Sequence, residues 1–389
     1  MTQHRRDRPL RFPPVLRTLL ARFGVALVSA AVLLAVAVTA VNWRVDASVA
    51  GIDRVDVELD RTDYPAEAGN YLVVGSDSRA AVADDPAAEE SFGDNEGQRS
   101  DAIMIAHVEP DEKRVLVVSI PRDLEVDVPR MGTTKINAAF NEGPQLLVDT
   151  ITENFGVPIT HYLNIDFAGF PELVNLVGPV TVHFNAPARD EETGLFVGEA
   201  GCVELDGDEA LAYVRSRKYE ENIYGTWTVD PTSDFGRIRR QQAFLRQLAV
   251  EARDEIYSSS PLAVPDIASA ALDTLEADQS FGRAQLLGFV DAFQDVDVYD
   301  PDSVELMTLQ VTGGGDDEPM RLDQPAADEV FERLRTFGSR PPTSSVPPDS
   351  PDTPEETAPG ATGLTTTTSE PLPDAIVREP GEAPAPVCR

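Results

Sequence analysis

Asp101-Ala102-Ile103-Met104-Ile105-Ala106-His107-Val108-Glu109-Pro110-Asp111-Glu112-Lys113-Arg114-Val115-Leu116-Val117-Val118-Ser119-Ile120 is two apolar runs on either side of a polar, proline-bearing break. Runs this short and this continuously apolar read as strands buried on both faces, and so short a break joins them as an antiparallel hairpin. A third run of the same kind, Asn70-Tyr71-Leu72-Val73-Val74-Gly75, ends at a glycine. It opens into a loop that begins Ser76-Asp77-Ser78-Arg79 and returns through an acidic insertion to Gln98-Arg99-Ser100-Asp101. Downstream, helical and extended patterns alternate: a short helical piece at 135–140, a helix over 144–155, a strand over 160–165, a helix over 167–177 and a strand over 180–184. Further helices are expected over 235–253, 261–275, 282–293 and 325–334, with a strand over 303–309. That alternation predicts an α/β fold, a layered α-β-α sandwich around a central mixed, twisted sheet.

The ends of the chain differ from this middle. Residues 23–41 are an uncharged apolar run of bilayer-spanning length. The run is long for the apolar region of a signal peptide, so an uncleaved transmembrane helix is expected. Six arginines and one acid precede the run, so residues 1–22 are expected in the cytoplasm and everything after the anchor outside it. Residues 42–69 read as a stalk and entry segment, and 70–340 as the folded domain. From 341 to 389 the chain carries 12 of its 31 prolines with Ser, Thr and acids, which predicts a disordered tail. The two cysteines, Cys202 and Cys388, cannot build a disulfide-rich scaffold or a four-thiolate zinc site. An oxidising exterior leaves one bridge open; with Cys388 at the end of the tail, free or intermolecular thiols are the expectation.

A formal net charge of −35 over 389 residues argues against a general nucleic-acid binder, which needs a basic face. Yet the middle of the chain gathers cations: Tyr213-Val214-Arg215-Ser216-Arg217, then Asp234-Phe235-Gly236-Arg237-Ile238-Arg239-Arg240-Gln241-Gln242. Two guanidinium groups about 8 Å apart repel by roughly 2 kcal/mol at an effective dielectric near 20, so several converging ask for an anion between them. At 100° per residue Arg237 and Gln241 fall on the apolar side of their helix with Ile238, Phe244 and Leu245. Arg239 and Arg246 point to solvent, with Arg240 on the flank. A buried ion pair with a nearby acid is the plain alternative for Arg237. An extended reading of the first cluster puts Tyr213, Arg215 and Arg217 on one side. Arginine forks match phosphate oxygens.

Asp77, just past one strand, and Asp101, at the start of the next, come close if those strands are neighbours. Two carboxylates with phosphate oxygens and water suit a hard divalent cation. Pro121-Arg122-Asp123 sets another cation and anion after a strand. No phosphate-binding GxxxxGK[ST] loop, dinucleotide GxGxxG, HExxH or GxSxG stands in the chain. His107, His161 and His183 show no ligand spacing.

The ordered series VVGSDSR, QRSDAIMIAHVEP, VLVVSIPRDLEVDVP, KINAAFNEG, ITHYLNIDFAGFPELVNLVGPV, LDGDEALAYVRSR and SDFGRIRRQQ resembles the LytR-CpsA-Psr (LCP) family of bacterial cell-wall ligases. The resemblance runs from about residue 70 to 250. It implies a membrane-anchored, extracytoplasmic phosphotransferase that moves a glycopolymer from a polyprenyl-pyrophosphate carrier to peptidoglycan, at the N-acetylmuramic acid 6-hydroxyl, with Mg²⁺ or Mn²⁺. It also implies an apolar groove in the sandwich for the polyprenyl chain. Carried over, Asp77 and Asp101 are the metal acids and, with Arg122, the catalytic residues. Arg99, Arg122, Lys135, Arg215, Arg217, Arg237 and Gln241 are the pyrophosphate shell, supported by Arg79, Asp123 and Asn137. The runner-up readings are a pyrophosphatase acting on the same carrier and a non-catalytic binder of it. The segment between Asp77 and Arg99 and the loop 219–233 with Trp227 are peculiar to this chain and leave the polymer open.

Overall fold

A computed structural model of the chain describes residues 39, 42–60, 68–77, 99–258, 272, 274–294, 300, 303–314, 319–336 and 388. In chain order its elements are β1 Asp53–Val55, β2 Gly69–Asp77, β3 Arg99–Glu109, β4 Arg114–Ile120, β5 Glu125–Val128, β6 Gly132–Lys135, α1 Ile136–Asn141 and α2 Pro144–Phe155. Then come β7 His161–Asp166, α3 Phe170–Val177, β8 Val180–Phe184, β9 Ala188–Asp190, β10 Leu195–Val197, β11 Gly201–Leu205, α4 Gly207–Arg215, β12 Glu220–Ile223 and β13 Thr226–Val229. The last are α5 Ser233–Ser258, β14 Leu275–Asp278, α6 Arg283–Gln294, β15 Val304–Thr308, β16 Val311–Thr312, β17 Arg321–Leu322 and α7 Gln324–Arg335.

The central sheet has seven strands in the order β1-β14-β7-β2-β3-β4-β15. It is mixed: β2 is antiparallel to β3 and parallel to β7, β3 is antiparallel to β4, and β15 is parallel to β4. Period two divides the central strands between two cores. Leu72, Val74, Ile103, Ile105, Leu116 and Val118 face α1, α2 and α7. Tyr71, Ala106, Val108, Val115 and Leu163 face Val49, Ile52, Phe281 and Leu286 on the other side. Complete burial of each such side chain contributes roughly 1.5–3 kcal/mol, which is why the middles of β2 and β3, 72–75 and 102–106, carry no polar side chain. A third core joins α3, α4, β8, β10 and β11 to Phe244 of α5, beside a smaller sheet ordered β10-β9-β12-β13.

Most expected elements stand where the patterns put them, the hairpin β3/β4 among them. Four do not. Tyr213 to Arg215 are not extended but close α4, whose start carries a capping box between Asp206 and Glu209. The loop 219–233 contains the hairpin β12/β13, turned by Tyr224 and Gly225 at positive φ. Leu275 opens a strand instead of ending a helix; the expected helix before it lies largely outside the described residues. Cys202 and Cys388 are joined in a disulfide, so the penultimate residue of the chain is buried against β11. The remaining tail residues lie outside the described set, as does the apolar run 23–41 apart from Thr39. Among the described residues no helix is long and apolar enough to cross a membrane.

Candidate functional site

The arginines come together at one carboxylate. Arg122, in the turn after β4, places Nε 3.7 Å from Asp234 Oδ2. Arg217, just past α4, places Nε 3.8 Å from Asp234 Oδ1, and Arg237 of α5 places Nη2 3.2 Å from the same atom. Three separate elements thus deliver guanidinium groups to a single position, and Arg237 does so from a site only 2 % exposed. Both alternatives weighed for Arg237 meet here: it lies inside, and it pairs with an acid one turn away. Asp234 also sits in the first turn of α5, where a carboxylate favours the helix dipole that an arginine opposes.

Each arginine is held by its backbone. The Arg122 carbonyl accepts the N–H of Asn137 at 3.1 Å, which joins the turn to α1. The Arg217 N–H donates to Asp190 Oδ2 at 3.0 Å, beside donations from Ser216 Oγ at 2.7 Å and Lys218 N at 2.9 Å. Burial alone would raise the Asp190 pKa, but these hydrogen bonds hold it below the usual carboxylate value. At the start of α5, Gly236 lets the loop Asp230–Thr232 lie against the helix: a Cβ there would meet Asp230 Oδ2 at 2.1 Å.

Arg240, Gln241 and Gln242 fasten α5 to three neighbours. Arg240 is buried, contacts Asp230 at 3.1 Å, donates to the Ser216 carbonyl at 2.6 Å and stacks 4.4 Å from the Tyr219 ring centroid. The sequence put it on the flank; the hairpin packs over it. Gln241 donates to the Val214 carbonyl at 3.1 Å and so braces the end of α4 rather than turning to the arginines. Gln242 donates to Ser119 Oγ, the Met307 carbonyl and Thr308 Oγ1, linking α5 to the edge of the central sheet. Arg239 is exposed as its helical phase predicts, whereas Arg246 is half-buried.

Arg215 stands over Phe167 at 5.7 Å from the ring centroid. Phe167 in turn donates its N–H to the Ser76 carbonyl and packs beside Gly75. That contact brings α4 to the ends of β2 and β3, where the strand register sets the backbone of Asp77 opposite that of Arg99. The register shifts between Gly75 and Ser76, from Ala102 to Ser100, so that Asp101 is the extra residue of a bulge, a device that re-aims side chains. Asp77 and Asp101 therefore occupy adjoining strand ends. Arg79 lies outside the described residues.

Lys135 and Asp123 pair at 3.1 Å on the other side of Asp234. Burial alone would raise the Asp123 pKa, but the Lys135 hydrogen bond and the neighbouring Arg122 hold it below the usual value. Both line an open cleft of roughly 800 Å³ that Asp234 also borders. No group of three or more His, Cys, Asp or Glu residues able to hold a metal stands among the described residues.

The sequence reading passed over Asp190, Asp230 and Asp234 as site residues. The signal for Asp234 was its spacing of three from Arg237, which puts the two on one helical face. Nothing distinguished Asp190 from the other acids.

Residues 39–336 match the model of the LytR_cpsA_psr family. The probable cell wall biosynthesis protein LcpB of Corynebacterium glutamicum is 34% identical over 241 residues, 60% of this chain and 55% of that one. The polyisoprenyl-teichoic acid–peptidoglycan teichoic acid transferase TagU of Enterococcus faecalis is 34% identical over 185 residues, 47% of this chain and 56% of its own. The chain thus spans about half the length of the curated relatives it matches. Among solved structures, a LytR-Csp2A-Psr enzyme from Actinomyces oris superposes with a TM-score of 0.60 at 22% identity, covering 73% of this chain and 96% of that one. TagV of Bacillus subtilis superposes at 0.53 with 23% identity, covering 70% and 97%. These two share the fold.

Proposed function

The chain belongs to the LytR_cpsA_psr family, and on that premise we propose that it is a phosphotransferase that moves a glycopolymer from a polyprenyl-pyrophosphate carrier to peptidoglycan. The observation that carries the reading is the convergence of Arg122, Arg217 and Arg237 on one carboxylate position. An oxygen held there by three guanidinium groups is equally well a phosphoryl oxygen. Phosphoryl transfer asks the protein mainly to position the reactants and to neutralise charge on the non-bridging oxygens. A relative bearing the name of a teichoic acid transferase to peptidoglycan supports the same acceptor and donor classes here.

Arg122, Arg217 and Arg237 bind the pyrophosphate, and Arg215, Arg99 and Lys135 complete its positive shell. Asp77 and Asp101 would hold Mg²⁺, which supplies a further positive charge on the transferring group when bound. The acceptor is the N-acetylmuramic acid 6-hydroxyl, and the carrier's apolar chain occupies a groove in the sandwich. The apolar run 23–41 anchors the protein with its domain outside the cytoplasm. A disulfide between Cys202 and Cys388 suits that oxidising side.

The test is transfer of label from a lipid-linked wall polymer to peptidoglycan by the purified full chain. Label bound covalently to peptidoglycan in Mg²⁺, lost in EDTA and in Arg122→Ala, is the expected result. Label released into water alone would mark a pyrophosphatase; lipid binding without turnover would mark a receptor.

A further inference from the structure

The phosphate position accounts for one reactant; the second must reach the same phosphorus from open space. The cleft that Asp234 borders is that space. It lies between the hairpin β5/β6, the residues leading into α5, and the segment Pro319–Met320. At roughly 800 Å³ it falls in the range of about 300–1,000 Å³ typical of small-molecule sites.

Its lining is mixed in a particular way. Thr133 and Thr134 offer hydroxyls, and Glu125, whose Oε2 accepts from Arg321 Nε at 2.9 Å, offers its other carboxylate oxygen, for the hydroxyl and amide groups of a sugar. Phe235, half-buried, offers apolar surface for the C–H face of a ring. Lys135, with a side chain 65 % exposed, and Arg239 set cations at the same cleft beside the carboxylates of Asp123, Glu125 and Asp234. Peptidoglycan glycan joins these features: sugar hydroxyls, acetamido groups, the lactyl amide and the carboxylates of its stem peptide.

We infer that this cleft is the acceptor subsite, a saccharide-binding site for the muramic-acid-containing strand that delivers its hydroxyl toward the position now held by Asp234. The inference rests on the phosphotransferase reading and adds the place and chemistry of the second substrate. The donor's own polymer is the other saccharide at hand, and the experiment separates the two.

Three probes are titrated into the full chain and into Thr134→Trp, which fills the cleft: a soluble disaccharide-peptide released from peptidoglycan, lipid-free wall polymer, and geranyl diphosphate. Phe235→Ala, which removes the apolar platform, is the second variant. The expected result is a tenfold or greater loss of affinity for the disaccharide-peptide in both variants, with polymer and diphosphate binding within twofold of the unsubstituted chain. Unchanged diphosphate binding also certifies that the variants are folded. Equal disaccharide-peptide affinity in all three proteins overturns the inference, as does selective loss of the polymer instead. Failure of the unsubstituted chain to bind geranyl diphosphate strikes the phosphotransferase reading itself, and the saccharide titration still decides the cleft.

Discussion

The carboxylate of Asp190 accepts the backbone N–H of Arg217 at 3.0 Å across 27 residues of sequence. A strand of the small sheet thereby fixes where the second arginine of the cluster leaves helix α4. Asp190→Asn keeps the shape, removes the charge and places an amide N–H₂ among three donors. The expected cost is about 1–3 kcal/mol of stability, read from denaturant unfolding, together with weaker diphosphate binding. Because the folded pKa of Asp190 lies below its unfolded value near 3.8, its contribution is present above that value. It is lost as pH falls through the lower folded value, and Asp190→Asn should flatten that part of the stability profile.

Arg217 and Arg237 are separable by burial. Arg217→Ala removes a third-exposed side chain and should lower transfer about 10²–10³-fold while leaving the melting temperature nearly unchanged. Arg237→Ala removes a buried guanidinium and should cost both turnover and stability. Equal melting losses in the two variants would contradict the geometry.

Asp278 organises the far side of the sheet. It accepts from His161 Nδ1 and the Tyr162 N–H, each at 3.0 Å, and from Ser280 and the Phe281 N–H. Burial opposes its charge, but the hydrogen bonds from His161 and Ser280 and the attraction of His161 hold the carboxyl far below its usual value. Stability from this group is therefore complete above about pH 4 and lost as pH falls toward the depressed pKa. Asp278→Asn should destabilise at neutral pH by about 1–3 kcal/mol and remove that acid dependence, as seen in unfolding curves from pH 7 to 2.

The disulfide closes a separation of 186 residues. Cys202→Ser and Cys388→Ser should each lower stability by about 2–5 kcal/mol, and the double variant no further. Reductant should bring the unsubstituted chain to the same midpoint in denaturant.

The hairpin β3/β4 was legible because both faces of each strand are buried, so that only His107 and Ser119 interrupt runs that are otherwise apolar from 102 to 108 and from 115 to 120. The inward turn of Arg237 was legible because a helical phase survives whatever packs against it. The helix under Tyr213 to Arg215 was not read, although Asp206 and Glu209 carry a capping-box spacing, because the arginine pair drew an extended reading. The hairpin β12/β13 turns at Tyr224-Gly225, which lacks the Asn-Gly or Asp-Gly that marks such turns. Asp190 was hidden among 67 acids, since only tertiary contact distinguishes it from the others, whereas Asp234 carried a local signal in its spacing of three from Arg237. Whether Cys202 and Cys388 are bonded was beyond reach too, since only tertiary contact brings residues 186 apart together.

The bond between Cys202 and Cys388 also changes what a cut in the chain can do. Helix α7 holds the polypeptide at one side of residues 337–387 and the disulfide holds it at the other. A protease that severs the chain once within that stretch frees nothing: both pieces remain one covalent molecule. The nick becomes visible as a released fragment only once the disulfide is reduced, so gels run with and without reductant would report different masses for the same cleaved protein.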